Sequence, residues 1–321
     1  MPPDAKPPPS AIRVHAAIFA VQVAFASLAV AGRLVLREMP APSLVVVRLL
    51  GASLVFAALP VATSRRSVPW RDRWGIAFAA LLGIFGNQAL FLLGLRSTSA
   101  THATLLVATI PIFTMIAAAV LERERPSPLA LLGTAIAFSG VGYLVGAEAF
   151  AIGVETLVGD LLVLANSLVY GFYLVLIRPY AARHGSTVVV SWGFGFALLY
   201  ALPFATLAPI WFPELGSIAV LPDLSARTWW LALYVVLVPT VFTYLTNAWA
   251  LRHASSSTVA VWIYAQPTFA ALMAWYFLGE SLTPRLAFAA GLVFVGIGLV
   301  ARGRAVAAPP PRDTSAPPKE I

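Results

Sequence analysis

Residues Leu95–Leu144 read LRSTSATHATLLVATIPIFTMIAAAVLERERPSPLALLGTAIAFSGVGYL, and residues Leu251–Val300 read LRHASSSTVAVWIYAQPTFAALMAWYFLGESLTPRLAFAAGLVFVGIGLV. A shift of 156 lays one on the other without a gap, and eleven of the fifty positions are identical. Apolar composition inflates such matches. It does not place Arg96 on Arg252, Pro111 on Pro267, Glu124 on Glu280, Pro128 on Pro284, or Gly140 and Gly142 on Gly296 and Gly298. A weaker match joins the fronts of the two halves, Ser27-Leu28 with Ser167-Leu168 and Ser43–Val47 with Ser186–Val190. The chain is two copies of one unit.

Composition says what the unit is made of. Of 321 residues, 60% are apolar and 11% charged, against about 25% charged in an ordinary soluble domain. The charged residues leave ten long gaps, from 16 residues (Arg285 to Arg302) to 30 (Arg183 to Glu214), and the second gap is broken only by Arg48. About 20 residues, with a range of roughly 17–25, carry a helix across a bilayer, and flanking arginines extend the shorter runs by snorkelling. Period-two alternation is missing, which disfavours a transmembrane barrel. The expected fold is all-α integral membrane, with ten transmembrane helices as two five-helix repeats at 13–147 and 157–302. Pro-rich stretches at 1–12 and 303–321 read as disordered tails. The first span lacks a small-residue cleavage site and reads as a retained helix.

Placing the amino terminus inside puts fifteen basic residues on inner segments and five on outer ones. The positive-inside rule then sets both termini in the cytoplasm. Nineteen of 21 basic residues are arginine, and this bias, with abundant Ala and Pro, resembles a GC-rich bacterial genome. Five helices per copy, an odd number, invert the second copy. Inverted repeats are a signature of secondary transporters, with substrate near the midplane between halves. Cysteine is absent, which excludes disulfides and thiolate metal sites. The net charge of +8 reads as loop arginine rather than a nucleic-acid surface. The expected partners are the lipid bilayer and a small-molecule substrate, with no cofactor, no metal, and a monomer or homodimer.

Gly94–Val145 and Ala250–Ala301 both resemble the EamA domain of the drug/metabolite transporter superfamily. The resemblance rests on Leu95-Arg96-Ser97-Thr98-Ser99-Ala100, Pro111-Ile112-Phe113, Glu124-Arg125-Pro126-Ser127-Pro128 and Gly140-Val141-Gly142. In the second copy it rests on Ala250-Leu251-Arg252-His253, Gln266-Pro267-Thr268-Phe269, Gly279-Glu280-Ser281-Leu282-Thr283-Pro284 and Gly296-Ile297-Gly298, with Gly159-Asp160-Leu161-Leu162 opening the second domain. One departure is Leu121-Glu122-Arg123-Glu124, where the family usually has Leu-Gly-Glu. The resemblance implies ten helices, a bacterial inner-membrane location and export or exchange of small metabolites, with the fifth and tenth spans at the periphery.

Polar side chains within a bilayer are costly and usually face the bundle interior. The candidates for substrate binding are Gln22, Asn87, Gln88, His102, Thr109, Asn166, Tyr170, Tyr264 and Gln266. Amides and hydroxyls suit carboxylate and amino groups, and aromatic faces attract cations. The competing role is interhelical glue. Pro111 and Pro267, near the middle of equivalent spans, are candidate hinges. Arg48 sits about four residues inside the outer end of its span. The spacing predicts a structural ion pair with Asp160, while attraction of an anionic substrate group stays open. Asp160 also suits the first turn of its own helix.

The leading function is a secondary transporter exporting or exchanging small metabolites, amino acids or related compounds, by alternating access. A multidrug exporter of hydrophobic cations is the first rival, disfavoured because no carboxylate lies at mid-membrane to trade a proton for the drug. An intramembrane enzyme is the rival from another class, and it lacks an HExxH motif or paired intramembrane Asp. Among groups within the spans only His102 has a proton-carrying reference pKa, and it lies off-centre, about six residues from the outer end of its span, so facilitative or at most weakly proton-coupled transport is expected.

Overall fold

An apolar chain in a bilayer must satisfy its backbone internally, and the helix does so within one segment. The computed structural model describes residues 9–59, 68–98, 103, 106–145, 157–211, 218–278 and 284–303, and no strand occurs among them. Helix α1 (Ala11–Val35) opens where the Ser10 hydroxyl accepts the Arg13 N–H at 3.3 Å. It therefore starts before the expected end of the amino-terminal tail. Helix α2 (Ala41–Ala58) carries Pro42 in its first turn, where a missing N–H costs nothing. A third path runs from α3 (Trp70–Ala80) through a π turn (Leu81–Gly86) into α4 (Asn87–Ser97). Next come α5 (Ile110–Leu121), α6 (Pro128–Val145), α7 (Leu157–His184) and α8 (Ser186–Trp211). The third path then recurs as α9 (Ala226–Val236), a π turn (Leu237–Phe242) and α10 (Thr243–Leu251). The chain closes with α11 (Ser256–Val261), a 3-10 turn (Trp262–Ala265), α12 (Gln266–Leu278) and α13 (Pro284–Gly303).

Among the described residues, seven paths are long and apolar enough to cross a membrane: α1, α2, α3–α4, α7, α8, α9–α10 and α13. Helices α5 and α6 are apolar but shorter. The charge gaps predict ten spans, and the seven are those found among the described residues. Pro111 and Pro267 are the second residues of α5 and α12. Pro111 follows a turn at 108–109, whereas Pro267, at the position related by the 156 shift, lies within a continuous helical run from 256 to 278 just after its 3-10 turn. The outward faces carry Leu54, Phe78, Leu199, Trp230, Tyr276 and Phe288, each more than half exposed. So much exposed apolar surface suits contact with lipid.

Two contacts organise the bundle's flank and ends. Helices α6 and α13 meet through facing glycines: a Cβ on Gly296 would lie 2.4 Å from the Gly133 carbonyl oxygen, and one on Gly133 would lie 2.6 Å from that of Gly296. Small residues of this kind let helix backbones close on each other. At one end, Arg178 of α7 pairs with Glu122 and Glu124 after α5 at 3.1 and 3.4 Å. There Asp72 in the first turn of α3 also holds Arg183 and His184 at the end of α7, at 3.2 and 2.6 Å. Arg123, between the two glutamates, takes φ 55°. At the opposite end, the Glu38 carboxylate accepts the Ser225 N–H and hydroxyl, both at 3.0 Å.

Candidate functional site

The two π turns lie 156 residues apart, the same shift that aligns the sequence repeat. A π turn holds an extra residue and disturbs the regular i→i−4 ladder, leaving backbone groups in need of other partners. In the first turn, the Gly83 carbonyl accepts the Tyr244 hydroxyl at 3.0 Å, and the Asn87 carbonyl accepts the Asn166 side-chain amide at 2.7 Å. In the second, the Thr240 hydroxyl donates to the Val235 carbonyl at 2.7 Å, and Thr243 donates to the Pro239 carbonyl at 3.0 Å. Gly83 and Pro239 occupy the same place in the two turns. Glycine is needed at 83 because a Cβ there would lie 1.9 Å from the Tyr173 ring.

Around these turns gathers a polar and aromatic core. Tyr170 stacks on Tyr173 at 5.7 Å between centroids, and Tyr244 meets the rings of Tyr173, Phe194 and Phe25. The Asn247 amide donates to the Tyr170 hydroxyl at 3.2 Å. Gln88 is buried with its amide N–H facing the Tyr244 hydroxyl, and its Oε1 has no hydrogen-bond partner among the described residues. On α1, three residues from Phe25, Gln22 accepts the Gln266 amide at 2.7 Å, joining α1 to α12. A separate cavity of about 480 Å³ lies between the start of α8 and α10, lined by residues that include Thr187, Leu245, Thr246 and Trp249. It flanks the Tyr244 helix on a different face from the polar core.

The structure thus brings Asn87, Gln88, Asn166 and Tyr170 into one group and pairs Gln22 with Gln266. Other expectations change. Thr109 spends its hydroxyl on the Leu106 carbonyl at 2.5 Å, within its own turn. Tyr264 is fully buried in a different cluster, with Phe138, Val293 and Ile297, and its hydroxyl has no partner. His102 lies outside the described residues. Arg48 and Asp160 do not pair. The Arg48 Nε donates to Thr240 on the second π turn at 3.0 Å, whereas Asp160, in the first turn of α7, accepts the Thr98 hydroxyl. Helix α2 begins at Ala41, so Arg48 stands seven residues in, deeper than the charge gaps imply and beside α9–α10 rather than α7.

Sequence reading missed Tyr244, Asn247 and Thr240, all on the α9–α10 path. A signal was present. Asn247 is an amide within its span, five residues before Arg252, and the 156 shift sets Tyr244 on Gln88, a residue already chosen.

Comparison with known proteins agrees with this architecture. An uncharacterized transporter of Archaeoglobus fulgidus is 28% identical over 208 residues, 64% of this chain and 68% of that one. Transporter YdfC of Bacillus subtilis, also uncharacterized, is 27% identical over 253 residues, 78% of each chain. A probable terminal-alkyne amino-acid exporter of Streptantibioticus cattleyicolor is 27% identical over 250 residues, 78% of this chain and 80% of that one. One crystal structure shares the fold, with a TM-score of 0.75 at 20% identity over 93% of this chain and all of the other. The model of the EamA-like transporter family matches residues 13–146 and again 157–302. The chain is a multi-pass membrane protein and belongs to the EamA-like transporter family.

Proposed function

We propose that the chain is a secondary transporter that exports or exchanges small metabolites, amino acids or related compounds, across a bacterial inner membrane. Ten helices form two inverted five-helix halves with both termini in the cytoplasm, and the two halves take turns opening the site. The observation that carries this reading is the pair of π turns at equivalent places, Leu81–Gly86 and Leu237–Phe242. A helix defect in each half, tied down by side chains of other helices, supplies two pivots around one polar core. Asn87, Gln88, Asn166, Tyr170, Gln22 and Gln266 form the binding surface, and the breaks before Pro111 and Pro267 add a second pair of pivots. The similarity to an amino-acid exporter supports the substrate class.

The test is uptake of labelled L-amino acids, including the terminal-alkyne amino acid L-propargylglycine, into proteoliposomes. Asn87→Ala and Gln266→Ala each remove one polar contact and are expected to lower uptake about tenfold, the equivalent of about 1.4 kcal/mol. Thr134→Ala removes only a hydroxyl contact to the Met115 sulfur at 3.2 Å and is expected to change uptake little. Equal loss in all three variants would reduce the polar residues to packing contacts. Preference for lipophilic cations over every amino acid would favour drug export instead.

A further inference from the structure

Arg48 is a cation held inside the bundle. It stands seven residues into α2, about 10 Å along the axis at 1.5 Å per residue, and is 4% exposed. Among the described residues its Nε donates to Thr240, its Nη1 and Nη2 have no partner, and no carboxylate pairs with it. A buried charge without a counter-ion is costly. A well-packed apolar residue in its place would hold the fold better, so stability does not explain it. Its surroundings suggest what does. Tyr244 lies within electrostatic reach of the guanidinium. Beyond it, Gln88 is 3% exposed with its amide N–H facing the Tyr244 hydroxyl, and the Gln88 Oε1 and Asn247 Oδ1 are unpaired among the described residues.

We infer that Arg48 receives the carboxylate of the transported molecule, with the Gln88 amide N–H as a further donor. The inference rests on the transporter reading above and narrows the substrate to small carboxylic acids. A planar guanidinium with two open Nη groups matches a carboxylate bidentately, as a point charge does not. The unpaired oxygens of Gln88 and Asn247 are acceptors for an ammonium group, which makes a zwitterionic amino acid the best fit.

The test uses the purified full chain in lipid nanodiscs, with thermal stabilisation by L-amino acids compared with their carboxamides. Acids are expected to bind at least about tenfold more tightly than the matching amides, one good charge-assisted contact's worth. Arg48→Gln removes that preference, and Arg48→Met raises the melting temperature of the ligand-free protein. An arginine kept for structure gives the opposite: a lower melting temperature and an unchanged preference. Gln88→Leu, which leaves the charge in place, is expected to weaken acid binding. The inference is overturned if Arg48→Gln retains the acid preference. It is equally overturned if the wild type binds no acid better than its amide, or, where Arg48→Gln does not fold, if Gln88→Leu leaves acid affinity unchanged. Uptake into proteoliposomes separates the two readings. Acid binding through Arg48 without uptake removes the transporter reading and leaves the anion site. Uptake without acid preference does the reverse.

Discussion

Arg123 sits at φ 55° in the turn after α5, where an L side chain is strained. The 156 shift places Gly279 at the equivalent position of the second copy, and glycine carries no such penalty. Arg123→Gly is therefore expected to stabilise the protein by about 1 kcal/mol, read as a higher melting temperature, with the Arg178–Glu122 pair left intact. The strain was half legible, since the sequence marked this loop as a departure from the family's Leu-Gly-Glu without giving its backbone. The central amides show the same limit. Asn87, Gln88 and Asn166 stood out because amides at mid-span are costly unless used. Partner choice did not stand out. Arg48 and Asp160 lie at the same end of the charge map, yet Thr240 takes the arginine because helix packing, not charge order, decides who is near.

Helices α6 and α13 show how far an element pair depends on two missing side chains. Gly296→Leu would drive a side chain into the Gly133 backbone, already 2.4 Å from a mere Cβ. The expected cost is about 1–3 kcal/mol, as for an overpacked core, seen as a lower melting temperature and a weaker α6–α13 contact by cysteine cross-linking. At the other end, the Ser225 backbone N–H, and then its hydroxyl, hold the Glu38 carboxyl below the usual glutamate value. A depressed carboxylate pKa adds stability that is present above the unfolded-state pKa and lost as pH falls through the folded one. The tether from the α1–α2 turn to the start of α9 is thus intact at neutral pH and released in acid. The site is exposed, so the effect is local. Fluorescence of Trp229 and Trp230 in the first turn of α9 should change below the ordinary carboxylate range, and Glu38→Gln should abolish that change. The helices themselves were readable from charge gaps. The π turns were not. LLGIFG and LVPTVF share only their first residue, and Gly83 and Pro239 loosen a helix by different means, one by lacking a side chain and the other by lacking an N–H.

The cysteine-free chain makes the topology directly testable. Single cysteines at Arg37 and His253, both exposed, should divide cleanly in intact cells. The first should react with an impermeant maleimide and the second should not. The opposite pattern would invert the molecule in the membrane, and labelling of both would end the five-plus-five scheme. At this scale the repeat was legible because Arg, Pro, Glu and Gly recur in register, whereas their geometric counterpart, the matched defects, appears only in three dimensions. Those defects also store a rotational register. A π turn carries one residue more than an α turn, so relaxing Leu81–Gly86 to α geometry would turn everything beyond it by about 100° and advance it about 1.5 Å. Gln88 would leave the Tyr244 side of its helix, and the same event at Leu237–Phe242 would swing Tyr244 and Asn247 away from Gly83 and Tyr170. One backbone hydrogen-bond shift per half would then dismantle the polar core.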